Sequence, residues 1–169
     1  DEIGVVSHDE LWDRFTYFAE RVVPVAEKFD VKLACHPDDP PVGSLRGAAQ
    51  ILSDVEGMKR LIETVPSPVN GLLFCQGTVA EMCVDVLEAT RYFLERKKIF
   101  AVHFRNVKNY PSDGVKYDEV FIDEGEVDVA AAMRLYAEYD YDGLIDPDHA
   151  PVMETDSQFG RHRGYAFAI

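Results

Sequence analysis

Four short apolar runs alternate along this chain with longer amphipathic stretches, and no other feature limits the fold as strongly. The apolar runs are residues 31–35, 69–75, 99–104 and 143–145. Between and before them, apolar side chains recur at three- and four-residue spacing, which predicts helices over residues 9–29, 48–65, 79–96 and 129–139. Strand and helix units of about 30 to 45 residues predict right-handed crossovers and a parallel sheet.

The number of units predicts a partial barrel. A full (β/α)8 TIM barrel needs roughly 200 to 250 residues or more, whereas this chain has 169. We therefore predict an α/β fold of about four parallel βα units, a half-barrel that forms a single domain over residues 1–169. The chain starts without a methionine and stops within an apolar run, so we expect it to be the C-terminal part of a longer enzyme.

Local signals predict the details of these elements. Pro24 is expected to kink or break the first helix, because proline cannot donate the backbone hydrogen bond. Thr78 and Asp128 are the expected N-caps of the third and fourth helices. Residues 105–126 are polar and are expected to form a long binding loop.

Composition excludes several classes of partner. Acidic residues outnumber basic ones by 31 to 17, for a net charge of −14, which argues against nucleic acid because phosphate binding needs a basic surface. The chain has no run of roughly 18 apolar residues and no signal-type N-terminus, so we expect no membrane contact and a cytoplasmic location. Three cysteines in no disulfide-like spacing suit a reducing compartment.

Each of the four predicted strands ends in a residue that can bind a metal. These residues are His36, Cys75, His103 and Asp148, with His149 next to the last. Because parallel strands end at one face, the four side chains are expected to meet around a single divalent transition metal ion. Taken singly, each histidine has the alternative of a structural hydrogen bond and the cysteine that of core packing, but four equivalent positions favour the metal site.

The same segments resemble a known family. Residues 36–41 (HPDDPP), 70–75 (NGLLFC) with Gly77, 103–106 (HFRN) and 147–149 (PDH) are similar to successive motifs of the mannonate dehydratases, which have a xylose-isomerase-like TIM barrel. The resemblance implies a hydro-lyase that converts D-mannonate to 2-keto-3-deoxy-D-gluconate in glucuronate catabolism, with Mn²⁺ or Fe²⁺ as cofactor.

The resemblance also implies roles for individual residues. It places the metal on His36, Cys75, His103 and Asp148, the catalytic groups at His149 and Tyr165, and the substrate beside Arg105 and Asn106. Abstraction of a proton next to a carboxylate leaves a dianion that a divalent cation stabilises. The reaction also needs a base and an acid, and the assignment of His149 and Tyr165 to these two roles stays open.

Several alternatives remain at this point. Gln76, Asp146 and Ala150 depart from the family pattern, so the substrate is D-mannonate or another aldonate. The alternatives to a dehydratase are an inactive or incomplete metal-binding half-barrel and a related divalent-metal sugar isomerase or epimerase. Cys75 favours the dehydratase over the isomerase or epimerase. We expect a small sugar acid as ligand, and either a homo-oligomer or a missing N-terminal half-barrel to cover the sheet edges. Asp38 and Asp39 are expected either to support a ligand histidine or to be solvated.

Overall fold

The computed structural model describes residues 4–110, 116–154 and 156. In chain order its elements are α1 (His8–Lys28), β1 (Leu33–Cys35), β2 (Ser44–Leu45), β3 (Ala48–Ala49), α2 (Val55–Thr64), β4 (Asn70–Cys75), α3 (Gln76–Glu81), α4 (Val86–Glu95), β5 (Ile99–His103), β6 (Asn106–Asn109), β7 (Tyr117–Val120), α5 (Val129–Glu138) and β8 (Leu144–Asp146).

The four predicted strands form one parallel sheet in the order β1-β4-β5-β8. Each of these four strands is thus paired with the one that follows it in the chain, and the two are joined through at least one helix. This arrangement confirms the predicted α/β class and is that of a partial (β/α)8 barrel.

The helices cover one face of the sheet. Leu72, Phe74 and Val102 point to that face and are fully buried, and they share a core with side chains of α2, α4 and α5. Successive strand residues point to opposite faces, so Leu73, Ala101 and Leu144 lie on the other face. Leu73 and Ala101 are only half-buried there, and Leu144 is 65% exposed.

The register of the central strands places the predicted ligands side by side. Cys75 on β4 is paired with His103 on β5, and His103 is paired with Asp146 on β8. His36 follows the last residue of β1 directly. The carboxyl ends of all four strands therefore lie side by side at one end of the sheet. Cys75 and His103 point to the face that the helices do not cover.

Two helix predictions are wrong in their boundaries. The second helix begins at Val55 and not at residue 48, because Asp54 caps it through the Gly57 amide and residues 44–49 form the β2–β3 hairpin instead. The predicted helix over residues 79–96 is divided into α3 and α4. Cys83 adopts a positive φ of 56° between them, and Asp85 caps α4. Thr78 is not a cap, since Cys75 occupies that position for α3.

Two further predictions differ from the structure, and one agrees. The first helix is not broken at Pro24 and continues as a single element, while the alternative of a kink stays a prediction. Pro24 and Glu20 are exposed, so water can bind the carbonyl that loses its donor. The stretch 105–126 contains the antiparallel hairpin β6–β7 where a loop was expected. Asp128 caps α5 as predicted. No helix among the described residues is long and apolar enough to cross a membrane.

Candidate metal centre

Three of the four predicted metal ligands form a compact group. The ligand atoms of His36, Cys75 and His103 all lie within 4.8 Å of one another, and the two imidazole rings are 5.1 Å apart between centroids. Cys75 is fully buried, whereas both histidines are partly exposed. Two imidazoles and a thiol at this separation form a donor set suited to a divalent transition metal.

A backbone contact fixes the orientation of His36. Its Nδ1 lies 2.6 Å from the carbonyl oxygen of Pro37. A carbonyl only accepts hydrogen bonds, so Nδ1 carries a proton. Nε2 is then the nitrogen that donates to the Cys75 sulfur in the metal-free protein and that can offer its lone pair to a metal once it loses its proton. Metal-binding histidines are commonly held in this way, which fits a role for His36 as a ligand.

Cys75 is prepared to act as a thiolate. Burial opposes its ionisation, but hydrogen bonding with His103 and His36 and the positive charge of Arg105 together lower the pKa of Cys75 to about 5. The Thr78 amide donates a further hydrogen bond to Sγ at 3.5 Å. Since the thiolate is the form that binds metals, the site is electrostatically suited to a cation at neutral pH.

Asp148 lies beside this group without being part of the compact set. Its Oδ2 is 3.2 Å from Nδ1 of His103, although the contact lacks hydrogen-bond geometry and leaves this buried nitrogen unsatisfied. Asp148 has a φ of 59°, and its amide donates to Asp146 Oδ1 at 3.0 Å. This local turn directs the carboxylate of Asp148 towards the histidine.

The guanidinium of Arg105 lies next to the metal-binding group and donates three side-chain hydrogen bonds. Its side chain is only 2% exposed. Nη2 donates to Asp39 Oδ2 at 2.7 Å and to Thr78 Oγ1 at 3.0 Å, and Nη1 donates to Glu81 Oε1 at 2.8 Å. A buried guanidinium needs such partners because its desolvation is costly.

The packing around Arg105 is close. A Cβ atom at Gly77 would lie 2.6 Å from Arg105 Cγ, so only glycine fits at this position of α3. On the other side, Arg105 Nε is 3.6 Å from Asp148 Oδ2. Arg105 therefore connects α3 to the loop that follows β8.

His149 contacts a residue of the β6–β7 hairpin. Its Nδ1 makes a short hydrogen bond with Oε1 of Glu119 on β7, and its Nε2 lies 3.8 Å from Asp148 Oδ2. The imidazole is 46% exposed. His149 thus stands at the open side of the site, next to the metal-binding group and within reach of a small molecule.

Asn106 secures the hairpin. Its amide nitrogen donates to the carbonyls of Ile122 and Val127, and its side-chain oxygen accepts from the amides of Val107 and Val127. A Cβ atom at Gly125 would lie 2.1 Å from that oxygen, so the segment closes tightly around Asn106. The predicted contact between Asn106 and a substrate stays a prediction, because the side-chain hydrogen bonds seen here go to the backbone.

The two aspartates of the 36–41 motif have roles that differ from both expectations. Asp38 accepts a hydrogen bond from the Leu52 amide at 2.7 Å, and Asp39 binds Arg105. Asp39 also accepts from the Tyr117 hydroxyl at 3.0 Å. Neither carboxylate supports a ligand histidine through a hydrogen bond, and neither is simply solvated.

Two carboxylates of the site were not predicted from the sequence. Glu81 is buried against Arg105, and Glu119 contacts His149. The only signal for Glu81 was a charge within the apolar segment 79–84, and Glu119 lies in a stretch interpreted as loop. Tyr165, the second predicted catalytic residue, lies outside the described residues.

The ionisation of Cys75 gives a direct test of this geometry. In the metal-free protein, the ultraviolet absorbance of one thiolate is expected at pH 7 and should be lost as the pH falls through about 5. Cys35 should not contribute at pH 7, because burial and the nearby charge of Asp38 raise its pKa. The Cys75→Ser variant should lack the transition, and a Cys75 thiol that ionises only above pH 8 would contradict the described environment.

Comparison with known proteins agrees with these features. The family model for D-mannonate dehydratase (UxuA) matches residues 2–168. Mannonate dehydratase of Thermotoga petrophila is 38% identical over 152 residues, which are 88% of this chain and 41% of the relative. That of Geobacillus thermodenitrificans is 35% identical over 149 residues, 88% of this chain and 40% of the relative.

A solved structure agrees over nearly the whole chain. The crystal structure of mannonate dehydratase from Streptococcus suis serotype 2 superposes with a TM-score of 0.85 at 31% identity, over 96% of this chain and 48% of that one. The chain spans less than half of the length of each of these three relatives. With the family model matched from residue 2 to residue 168, this chain belongs to the D-mannonate dehydratase (UxuA) family.

Proposed function

We propose that the protein carrying this chain is a metal-dependent hydro-lyase that dehydrates D-mannonate to 2-keto-3-deoxy-D-gluconate. The observation that carries the proposal is the convergence of His36, Cys75 and His103 at the strand ends of a member of this family. The activity is proposed for the whole protein, since the chain spans less than half of the length of the three mannonate dehydratases compared above. A role in glucuronate catabolism and a cytoplasmic location belong to the same proposal.

The donor set fits a divalent cation held by His36, Cys75 and His103, with Asp148 as a fourth ligand. Imidazole, thiolate and carboxylate together suit a borderline transition metal, and the choice of Mn²⁺ or Fe²⁺ follows the family resemblance. When bound, such a cation withdraws electron density from an aldonate and so makes the proton at C2 more acidic.

The chain supplies groups for the two proton transfers. The C2–H bond breaks as a base accepts the proton, the C3–O bond breaks as an acid protonates the departing hydroxyl to water, and the resulting enol rearranges to the keto acid. We assign these two roles to His149 and Tyr165. His149 is partly exposed beside Asp148, where its ring can reach a substrate held at the strand ends.

Arg105 and Asn106 would line the substrate site as buried residues. The guanidinium of Arg105 is buried and paired with Asp39 and Glu81. Its positive charge favours the ionised form of Cys75, and its Nε lies 3.6 Å from Asp148 Oδ2. Asn106 holds the segment that carries the hairpin. Together they keep the wall of the site in place for an anionic sugar acid.

Metal binding can be tested on this chain directly. The purified protein is expected to bind one Mn²⁺ or Fe²⁺ per chain, measured by titration calorimetry and elemental analysis. Cys75→Ser and His103→Ala should weaken binding by more than about 100-fold, since the loss of a ligand exceeds the 10- to 100-fold effect of losing an outer partner.

The matched control for metal binding is Cys83→Ser. Cys83 is exposed and lies outside the metal-binding group, so its replacement should leave the metal content unchanged. Equal metal content in the Cys75→Ser and wild-type proteins would contradict the proposed site.

The reaction itself has a simple readout. The metal-loaded protein that carries this chain is expected to form a 2-keto-3-deoxy acid from D-mannonate, and more slowly from the C2 epimer D-gluconate. His149→Gln should lower kcat by on the order of 100- to 10,000-fold, as expected for a general acid or base. A whole protein that binds the ion but forms no keto acid would contradict the proposed activity, and this chain would then be an inactive metal-binding half-barrel.

We also propose that the open edges of the sheet are covered by another copy of the chain or by further strands of the protein. Within the described residues, β1 and β8 are the outermost strands, and Leu144 on β8 is 65% exposed. Unpaired edges beside an apolar face favour association.

Sedimentation of this chain alone tests its self-association. We expect a homo-oligomer that Leu144→Glu weakens, because the new charge would have to be buried at the interface. Met133→Glu is the control, since Met133 is 45% exposed on α5, away from the open face. A wild-type chain that sediments as a monomer at all concentrations would contradict self-association.

A further inference from the structure

The β6–β7 hairpin brings a carboxylate to the histidine that stands at the mouth of the site. Glu119 on β7 contacts Nδ1 of His149 through Oε1. The same oxygen lies 3.9 Å from Nη1 of the buried Arg105. The Glu119 side chain is 27% exposed, so it is partly shielded from water between the imidazole of His149 and the guanidinium of Arg105.

We propose that Glu119 is a positioning residue that holds His149 with Nδ1 protonated and Nε2 directed towards the metal-binding group. This inference rests on the proposed function, in which His149 transfers a proton, and assigns the residue that orients it. The direction of the ring supports it, because Nε2 lies 3.8 Å from Asp148 Oδ2, which is itself 3.2 Å from His103 Nδ1.

The chemistry of the pair explains the orientation. An ionised carboxylate only accepts hydrogen bonds, so the ring nitrogen that faces Glu119 must carry the proton. The hydrogen bond made by one ring nitrogen decides the state of the other. Nε2 of neutral His149 therefore keeps its lone pair, and it is Nε2 that is turned to the side where a substrate would bind.

Arg105 lies near the same carboxylate oxygen, with Nη1 3.9 Å from Oε1 of Glu119. Its guanidinium is fixed by Asp39 and Glu81, so it provides an immobile positive charge near Glu119. Contacts from Glu81 to Arg105, from Arg105 to Glu119 and from Glu119 to His149 thereby link the buried part of the site to its open side. A side chain held between two partners loses rotamer freedom before the substrate arrives, which favours a defined geometry of the imidazole.

The neighbouring aspartate provides a matched control. Asp118 precedes Glu119 on β7, and successive strand residues point to opposite faces. Its Oδ2 accepts a hydrogen bond from the Tyr110 hydroxyl at 2.9 Å. Asp118→Ala therefore removes a carboxylate and a hydrogen bond from the same strand without touching His149.

Nitrogen-15 NMR of the imidazoles tests the assignment without any enzymatic assay. The protein is loaded with Zn²⁺ as a diamagnetic probe and is observed at a pH where His149 is neutral, with its signals identified by their loss in His149→Gln. We expect a protonated Nδ1 in the wild type and in Asp118→Ala. Glu119→Ala should shift the proton to Nε2 or leave a mixture, whereas Glu119→Gln, which keeps an acceptor oxygen, should preserve the wild-type state.

Kinetics complete the test. Glu119→Ala should lower kcat by on the order of 10- to 100-fold with little change in KM, as for other residues that orient a functional histidine. A wild-type His149 protonated at Nε2, or an unchanged protonation state in Glu119→Ala, would overturn the inference. A wild-type protein that forms no keto acid would refute the proposed function alone, because the NMR result does not depend on turnover.

Discussion

The buried guanidinium of Arg105 is the interaction on which the rest of the site depends. An arginine that is 2% exposed is stable only when carboxylates surround it, and here those carboxylates come from different parts of the chain. Asp39 follows β1, Glu81 ends α3, Glu119 lies on β7 and Asp148 follows β8. A single cation therefore holds together the segments that follow the strands, and the close contact with Gly77 leaves it little freedom to move.

The same charge prepares the chemistry of the strand ends. Cys75 is fully buried, and burial alone would keep it as a neutral thiol. The two neighbouring histidines and Arg105 lower its pKa to about 5 instead. The result is a negatively charged sulfur between two imidazoles, which is a good environment for a divalent cation. The structural role of Arg105 and its electrostatic role are in this way two effects of one buried charge.

The strand ends were predictable from the sequence, whereas the supporting residues were not. His36, Cys75 and His103 lie at the carboxyl ends of apolar runs, and the rule that parallel strands end at one face is enough to bring them together. Glu81 and Glu119 depend on how separate segments pack against Arg105, and periodicity carries no information about such contacts. The break at Cys83 and the hairpin β6–β7 were missed for a related reason: a positive φ and an antiparallel pairing within a polar stretch leave little trace in hydrophobic patterning.

The central claim is that three strand ends share one metal ion. A crystal structure of the Mn²⁺-loaded protein, with anomalous diffraction measured at the manganese edge, tests it most directly. The account predicts one anomalous peak in contact with Sγ of Cys75, Nε2 of His36 and a ring nitrogen of His103. A peak elsewhere on this acidic chain, with the Cys75 region free of metal, would contradict it.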